Sequence, residues 1–418
     1  MTARSATTTG PVPALLGKSE AVETLAARAG LAEFHTDGLK VADTIAALGR
    51  MLGRLSNPHV ELRDSTAIAG MNARLVFGKH ERLLPEPLSV NGRHQSFEAG
   101  QASAYTPDFR VLELPDAYFC HFPDTPLAVS AGGDVVVRDY CSRFAGLVHF
   151  YETPLRQVLA DAVRIDGTVV VLDDDVRPLN YCHWLVDWLP RLAFLGELVH
   201  RPDTFVVVPP LGAEYQWETL ALCGVPRERV VQLATMRGLR ARRLLLPSDL
   251  REMPHPGHGA APWVTNYLRA TLGYGAFLGG LDGPPRRRKL YVSRDDAARR
   301  RVLNEAELLT ALALLGYEPV SLAGLPVARQ IALFACASHI VGLHGAGLAN
   351  IVFADHATTL VEIFPATYGM PSFYVLAAGM GMTYASYISD RVSAGERAQL
   401  DDISVDVPDF LAKCRHLL

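Results

Sequence analysis

Two stretches of this chain place reactive side chains at spacings that a fold can use. Residues 340–350 read Ile-Val-Gly-Leu-His-Gly-Ala-Gly-Leu-Ala-Asn, a short apolar strand that ends in a glycine-rich turn and opens a helix. Such a turn presents backbone N–H groups without helical partners to an anion, and phosphate is the first ligand to consider. The spacing Gly342-x-x-Gly345-x-Gly347 differs from the dinucleotide fingerprint, so a phosphate cradle and a tight turn that needs small residues for packing both stand on the spacing alone. The second stretch runs from Asn180 through Tyr181, Cys182, His183, Trp184, Asp187 and Trp188 to Arg191. On a helix His183 and Asp187 share a face, so the carboxylate can orient the imidazole and raise its basicity, as a general base for a sugar or water hydroxyl requires. A satisfied core histidine is the alternative. Trp184 and Trp188, also four apart, read as core.

Further candidates lie at strand ends. Arg294 follows the run Lys289-Leu290-Tyr291-Val292-Ser293, and ligands gather at the carboxyl ends of strands in open α/β sheets, where a guanidinium can clamp a diphosphate. The neighbouring basic residues, Arg286 to Arg288 and Arg299 to Arg301, read as a solvated face or a weak attraction to anionic lipid or a charged polymer. Glu362 sits near the end of an apolar strand and can accept hydrogen bonds from ribose hydroxyls or be a partly exposed strand residue. Asp173-Asp174-Asp175 follows another apolar strand, a context that suits Mg²⁺ or Mn²⁺ held against a diphosphate and equally a solvated turn.

The elements that must position these residues alternate. Residues 14–55 show helical periodicity broken at His35 to Gly38, and residues 60–146 read as short strands between Gly, Pro and Asn clusters. From Thr168 onward, apolar strands at 168–172, 205–208, 229–233 and 243–246 alternate with helices at 180–198 and 214–223. A second series begins at Lys289, with helices at 304–315 and 328–337 and strands at 318–321, 339–343 and 359–363. A short strand and a helix close the chain at 401–418. Strand alternating with helix is the pattern of a parallel, doubly wound sheet, and it occurs twice. Proline- and glycine-rich stretches at 253–259 and 278–285 bracket a helix and mark the junction.

Composition narrows the function. The 418 residues are 49% hydrophobic and 20% charged, enough for sizeable cores and against wholesale disorder. A net charge of −4 over that length argues against a dedicated nucleic-acid binder. The six scattered cysteines include no C-x-x-C pair, so neither a zinc knuckle nor a disulfide framework is indicated, and a reducing cytosol fits. No apolar stretch of the secretory type follows the N-terminus. Residues 331–353 lack Asp, Glu, Lys and Arg, but their histidines and three glycines favour a buried helix–strand–turn–helix over a membrane span.

Together these residues resemble the family 61 glycosyltransferases, which include bacterial capsular polysaccharide biosynthesis proteins. The resemblance rests on Asn180 to Trp184 with Asp187 and Leu189-Pro190-Arg191, on Tyr291 to Arg294, on Gln330 with Phe334-Ala335, and on Gly342 to Asn350 followed by Val361-Glu362. Cys182 stands where the family commonly has an aromatic. The resemblance implies a GT-B fold, two Rossmann-like domains facing a cleft, here with an N-terminal helical appendage. The expected division is 1–55 for the appendage, 56–260 for the acceptor-side domain, 285–390 for the nucleotide-sugar domain and 391–418 for a C-terminal tail.

The resemblance also implies inverting transfer from a nucleotide-sugar, usually a UDP-sugar, to a glycan or lipid-linked glycan acceptor. Arg294, His344, Gly345, Ala346, Gly347, Leu348, Asn350 and Glu362 become donor-site candidates. His183 or Asp187 becomes the catalytic base, and Asn180 lies on the acceptor side. No cofactor is implied, since GT-B enzymes generally stabilise the leaving group without a metal; Mg²⁺ or Mn²⁺ at Asp173 to Asp175 would instead mark a GT-A-type transferase. The expected setting is capsule or other surface polysaccharide synthesis in the cytoplasm, with peripheral association at the inner membrane face left open. A non-catalytic sugar-nucleotide or glycan-binding protein is the rival class. An esterase with His344 to Gly347 as oxyanion loop lacks the Gly-x-Ser-x-Gly elbow.

Overall fold

The structure is a computed structural model that describes residues 57–418 except 58, 69–70, 95–96, 98–102, 123–124, 141–147, 149–152, 174–179, 252–260, 280–285, 296, 298, 390 and 393–400. The expected helices of residues 14–55 and the expected loop at 253–259 lie outside the described residues, as do Asp174, Asp175 and most of the stretch at 278–285.

The protein is mixed α/β, and two large sheets dominate the described residues. The first has nine strands. Its main path runs Glu61–Arg63, Val135–Val137, Pro126–Val129, Phe109–His121, Arg237–Pro247, Val163–Val171, Thr204–Val208 and Val230–Gln232, with Asn72–Phe77 added to Phe109–His121. From Arg237–Pro247 to Val230–Gln232 the pairing is parallel, as the strand–helix alternation predicts. Phe109–His121 joins that parallel half antiparallel, through the long ladder with Arg237–Pro247. Most of the described strands of residues 60–146 therefore share one sheet with the α/β unit after Thr168, while His80–Leu83 and Ser103–Thr106 pair with each other in a small separate sheet.

The second sheet is wholly parallel, in the order Tyr317–Val320, Arg288–Val292, Ala337–Leu343, Thr359–Pro365, Thr383–Ser389, Leu88–Ser89. Its edge strand comes from the N-terminal part of the chain. Asn91 fastens that segment by accepting from Ile388 N–H and donating to the Ile388 carbonyl, both at 2.7 Å. The second sheet thus borrows a strand from the expected 56–260 unit. It also takes in the expected tail, because Ile403, Val407, Phe410 and Cys414 complete the core on one of its faces.

Strand periodicity accounts for the layering. Alternate residues point to opposite faces, and a parallel strand covered on both sides is apolar at every position. In the first sheet Val170, Leu172, Val206, Val208 and Leu245 face one way, while Val169, Val171, Val207, Leu244 and Leu246 face the other. In the second, Leu290, Val292, Ile340, Leu360 and Phe364 oppose Tyr291, Val341, Leu343, Val361 and Ile363. The first-named set of each sheet enters the same core, which also holds Trp184, Trp188, Leu268, Ile331, Phe334, Leu348, Ala349 and Ile351 to Ala354. Helices between the two sheets bind them through one continuous apolar layer.

Two expected helices take other forms. The single helix expected at 180–198 is broken into an α-turn at Tyr181–His183, a π-helical turn at Trp184–Trp188 and 3₁₀ turns at Leu189–Leu192 and Gly196–His200. Pro190 has no N–H to give and its ring crowds the carbonyl four residues back, which is why regular α geometry fails there. The helix opened by the glycine turn is a 3₁₀ helix, Ala346–Phe353. Among the described residues no helix is long and apolar enough to cross a membrane.

Candidate functional site

Counted from Arg288, the strands of the second sheet run 2-1-3-4-5 before the borrowed edge. In that order the chain leaves strands 1 and 3 toward opposite faces, and a crevice opens between their carboxyl ends. Leu308 and Leu312, on the helix that follows strand 1, lie in one face's core; the 3₁₀ helix that follows strand 3 lies in the other's. Arg294 ends strand 1 and His344 to Gly347 end strand 3, so the switch point carries both.

Glycine at 345 has a specific cause. Its φ of −178° is ordinary extended backbone, but a Cβ there would lie 2.0 Å from Nη1 of Arg294. The missing side chain lets the guanidinium rest on the turn. Arg294 is held by Nε to the carbonyl of Arg300 at 2.8 Å and by Nη2 to that of Arg299 at 3.0 Å. Below it, Oε1 of Glu305 accepts from the hydroxyls of Tyr291 and Ser293, each at 3.0 Å, and from the N–H of Arg294 at 3.3 Å. One carboxylate oxygen thereby fixes the whole Tyr-Val-Ser-Arg segment. The N–H groups in the first turn of the 3₁₀ helix have no partners within that helix and form a positive end beside Arg294.

His344 and Glu362 are both buried, with Nδ1 and Oε1 2.5 Å apart. The second carboxylate oxygen accepts from the hydroxyl of Tyr384 at 2.7 Å. Glu362 is fully enclosed and holds His344, so it is not the partly exposed strand residue that stood as the alternative to a ribose acceptor. The imidazole stacks on Phe364, with centroids 5.0 Å apart, and is flanked by Phe373 and Tyr368. Burial, followed by the Glu362 charge, pushes the Tyr384 phenol well above its usual range, so it stays a donor.

A second His–carboxylate pair stands at the first sheet. His183 Nδ1 is 2.6 Å from Oδ2 of Asp187; the carboxylate is fully buried, whereas the histidine side chain keeps 23% of its surface. The change to π geometry between them preserves the contact. Asn180 caps this turn, its side-chain oxygen accepting from Cys182 N–H at 2.9 Å and from His183 N–H at 3.4 Å. Arg251, just past the strand Arg237–Pro247, approaches Asp187 with Nε at 3.5 Å. The buried guanidinium of Arg191 joins the same strand ends, donating to the carbonyls of Pro247 at 3.0 Å and Asp173 at 3.4 Å.

These groups are linked across the two sheets. The Tyr181 hydroxyl donates to Asn350 Oδ1 at 2.7 Å, and the Asn350 amide donates to Gln330 at 2.9 Å and to the Gly347 carbonyl at 3.2 Å. Burial raises the Cys182 thiol, and the carboxylates of Asp187 and Glu362 add to the effect, so both pairs lie within electrostatic reach of one side chain. Leu348 is buried against Gly342, and Ala346 packs at the edge of the shared core. Asp173 is buried with Oδ2 3.4 Å from His121 Nε2. Among the described residues no three His, Cys, Asp or Glu side chains form a metal-binding group.

Arg251, Arg300, Glu305 and Tyr384 were not singled out from the sequence. The rule that flagged Arg294, a cation just past a strand's carboxyl end, applies equally to Arg251. Arg300 stood in a run of three arginines, and composition cannot tell which member turns inward.

Fold and site define an α/β protein with a glycine turn and an arginine at the switch point of a parallel sheet, tied to a His–Asp pair on the helical turns at the other sheet. Residues 181–361 match the family model described as Glycosyltransferase 61, a span that contains the turn, Arg294 and the His183 pair. The match supports the resemblance to that family and, in general, a glycosyltransferase acting on a nucleotide-sugar donor and a glycan acceptor. No curated protein matches the chain.

Proposed function

We propose that this chain is an inverting glycosyltransferase of GT-B arrangement that moves a sugar from a nucleotide-sugar, a UDP-sugar by the family resemblance, to a hydroxyl of a glycan or lipid-linked glycan. In this reading the unit around the first sheet, residues 56–260, handles the acceptor, and residues 285–390 handle the donor. The observation that carries it is the pairing of Arg294 with the Gly345 turn at the switch point, bonded through Asn350 and Tyr181 to the turn that holds His183 and Asp187. By the family resemblance the leaving group is stabilised by cationic groups, without a metal. Surface polysaccharide synthesis at the cytoplasmic membrane face is the setting that the resemblance favours.

The chemistry follows from the charges. Inversion requires the acceptor oxygen to attack the anomeric carbon opposite the departing diphosphate. His183, oriented through Nδ1 by Asp187, takes the acceptor's proton on Nε2. The bond from the anomeric carbon to the phosphate oxygen breaks, and its electron pair leaves with the diphosphate. Arg294, the first-turn N–H groups and His344 stabilise that charge. The experiment is a thermal-shift screen with UDP, GDP, CMP and their sugars, followed by transfer assays. A selective nucleotide shift that disappears in Arg294→Ala is the expected result. No shift with any nucleotide would overturn the reading.

A further inference from the structure

Arg300 departs from its neighbours in backbone and in environment. Its φ is +54°, in the left-handed region that a long L side chain seldom adopts. Such a conformation persists only where surrounding structure fixes it, and it clusters at ligand sites. Here it points the carbonyl of Arg300 at Arg294 Nε, 2.8 Å away, while the Arg300 side chain turns back to the glycine turn, Nη1 lying 3.3 Å from the His344 carbonyl. The guanidinium carbon stands 5.7 Å from the centroid of the Tyr368 ring, which also flanks His344.

The charge balance is uneven. Arg299 is exposed and Arg301 pairs with Asp402 at 2.8 Å. Arg300 is half-buried, and among the described residues its polar and ring contacts are one carbonyl and one aromatic ring, with no carboxylate. Burial lowers its pKa, the signature of a cation partly withdrawn from water. A cation held partly out of water without a counter-charge among the described residues is unfavourable, and an anion entering the turn would supply one.

We propose that Arg300 is a second anion-binding residue of the donor site, which with Arg294 clamps the diphosphate and stabilises it as it leaves. The proposal rests on the nucleotide-sugar reading of that site. Two guanidinium groups at one turn, Arg294 with Nη1 against Gly345 and Arg300 with Nη1 by the His344 carbonyl, match the charge of two linked phosphates better than that of a single phosphate.

The test compares wild type with Arg300→Asn, since asparagine tolerates the left-handed backbone, and with Arg300→Lys, which keeps the charge without the fork. Binding of UDP, UMP and inorganic pyrophosphate is measured by calorimetry on the full chain, with circular dichroism as the check on folding. Arg300→Asn is expected to weaken UDP and pyrophosphate roughly tenfold and UMP much less, with Arg300→Lys in between. Unchanged UDP and pyrophosphate affinity in a folded Arg300→Asn protein would overturn the proposal while leaving the donor site standing. Pyrophosphate binding that needs Arg300, in a protein that distinguishes no nucleotide, would support the clamp and remove the nucleotide-sugar reading instead.

Discussion

The Tyr181 hydroxyl donates a 2.7 Å hydrogen bond to Asn350 Oδ1, joining the turn that carries His183 to the helix that begins at the glycine turn. Asn350 is fully buried and passes the contact on to Gln330 and the Gly347 carbonyl. Removing one partner of a buried bond leaves the other unsatisfied. Tyr181→Phe is therefore expected to destabilise the protein by about 1–3 kcal/mol. Chemical denaturation of the two proteins, read by fluorescence, measures the difference; coincident curves would mean that the bond contributes nothing.

Gly345→Ala tests the seat of Arg294. Backbone strain is not at issue at this extended residue, so the cost is steric, the new methyl meeting the guanidinium at 2.0 Å. Arg294 must move while the fold remains. A tenfold or greater loss of nucleotide affinity is expected, about the worth of a bidentate guanidinium contact. Gly275→Ala, where nothing lies within 4 Å, is the control that should change neither binding nor folding. Equal affinity in both variants would detach the turn from the donor site.

Glu362 can be assigned by separating stability from binding. As the buried partner of His344 and Tyr384, its loss in Glu362→Ala should destabilise the ligand-free protein by about 3–5 kcal/mol. Glu362→Gln, which keeps the shape and can still accept from one neighbour, should cost less. A carboxylate used only to accept ribose hydroxyls would show the reverse pattern, with stability unchanged and affinity reduced. Thermal midpoints with and without nucleotide distinguish the two.

The division of labour predicts that His183→Ala and Asp187→Asn lower the transfer rate by about 10²-fold or more and leave nucleotide binding intact. Arg251→Gln, acting through Asp187, should lower the rate less. Transfer in excess EDTA should match the untreated rate; a dependence on Mg²⁺ or Mn²⁺ would move attention to Asp173 and its neighbours.

Much of this was legible in the sequence because it follows from local rules. The apolar runs at Thr168 to Leu172 and His339 to Leu343 suit doubly covered strands, and glycine spacing marked the turn between strand and helix. His183 and Asp187 found each other because positions four apart stay neighbours even through a π-turn. Long-range pairing was hidden. Nothing local says that Phe109–His121 will align against Arg237–Pro247, or that Leu88–Ser89 will cross to the other sheet. The partners of Glu362 were concealed for the same reason: a carboxylate in a strand shows them only when Tyr384 on the next strand is placed.

The strand that delivers the turn also carries a pH-dependent contribution. His339, on the strand Ala337–Leu343, has Nδ1 3.0 Å from the Ser338 hydroxyl. Its burial, and after that the nearby charges of Lys289 and Arg287, hold its pKa below the ordinary value of 6.5. The unfolded chain then binds more protons than the native one between the depressed value and 6.5. By linkage the native state gains stability as pH rises through that window. The contribution is fully present above 6.5 and is lost as pH falls toward the native pKa. Urea midpoints measured at a series of pH values down from neutrality should fall for wild type and fall less steeply for His339→Gln, which cannot titrate. Parallel slopes for the two proteins would show that His339 is as readily protonated in the sheet as in the unfolded chain.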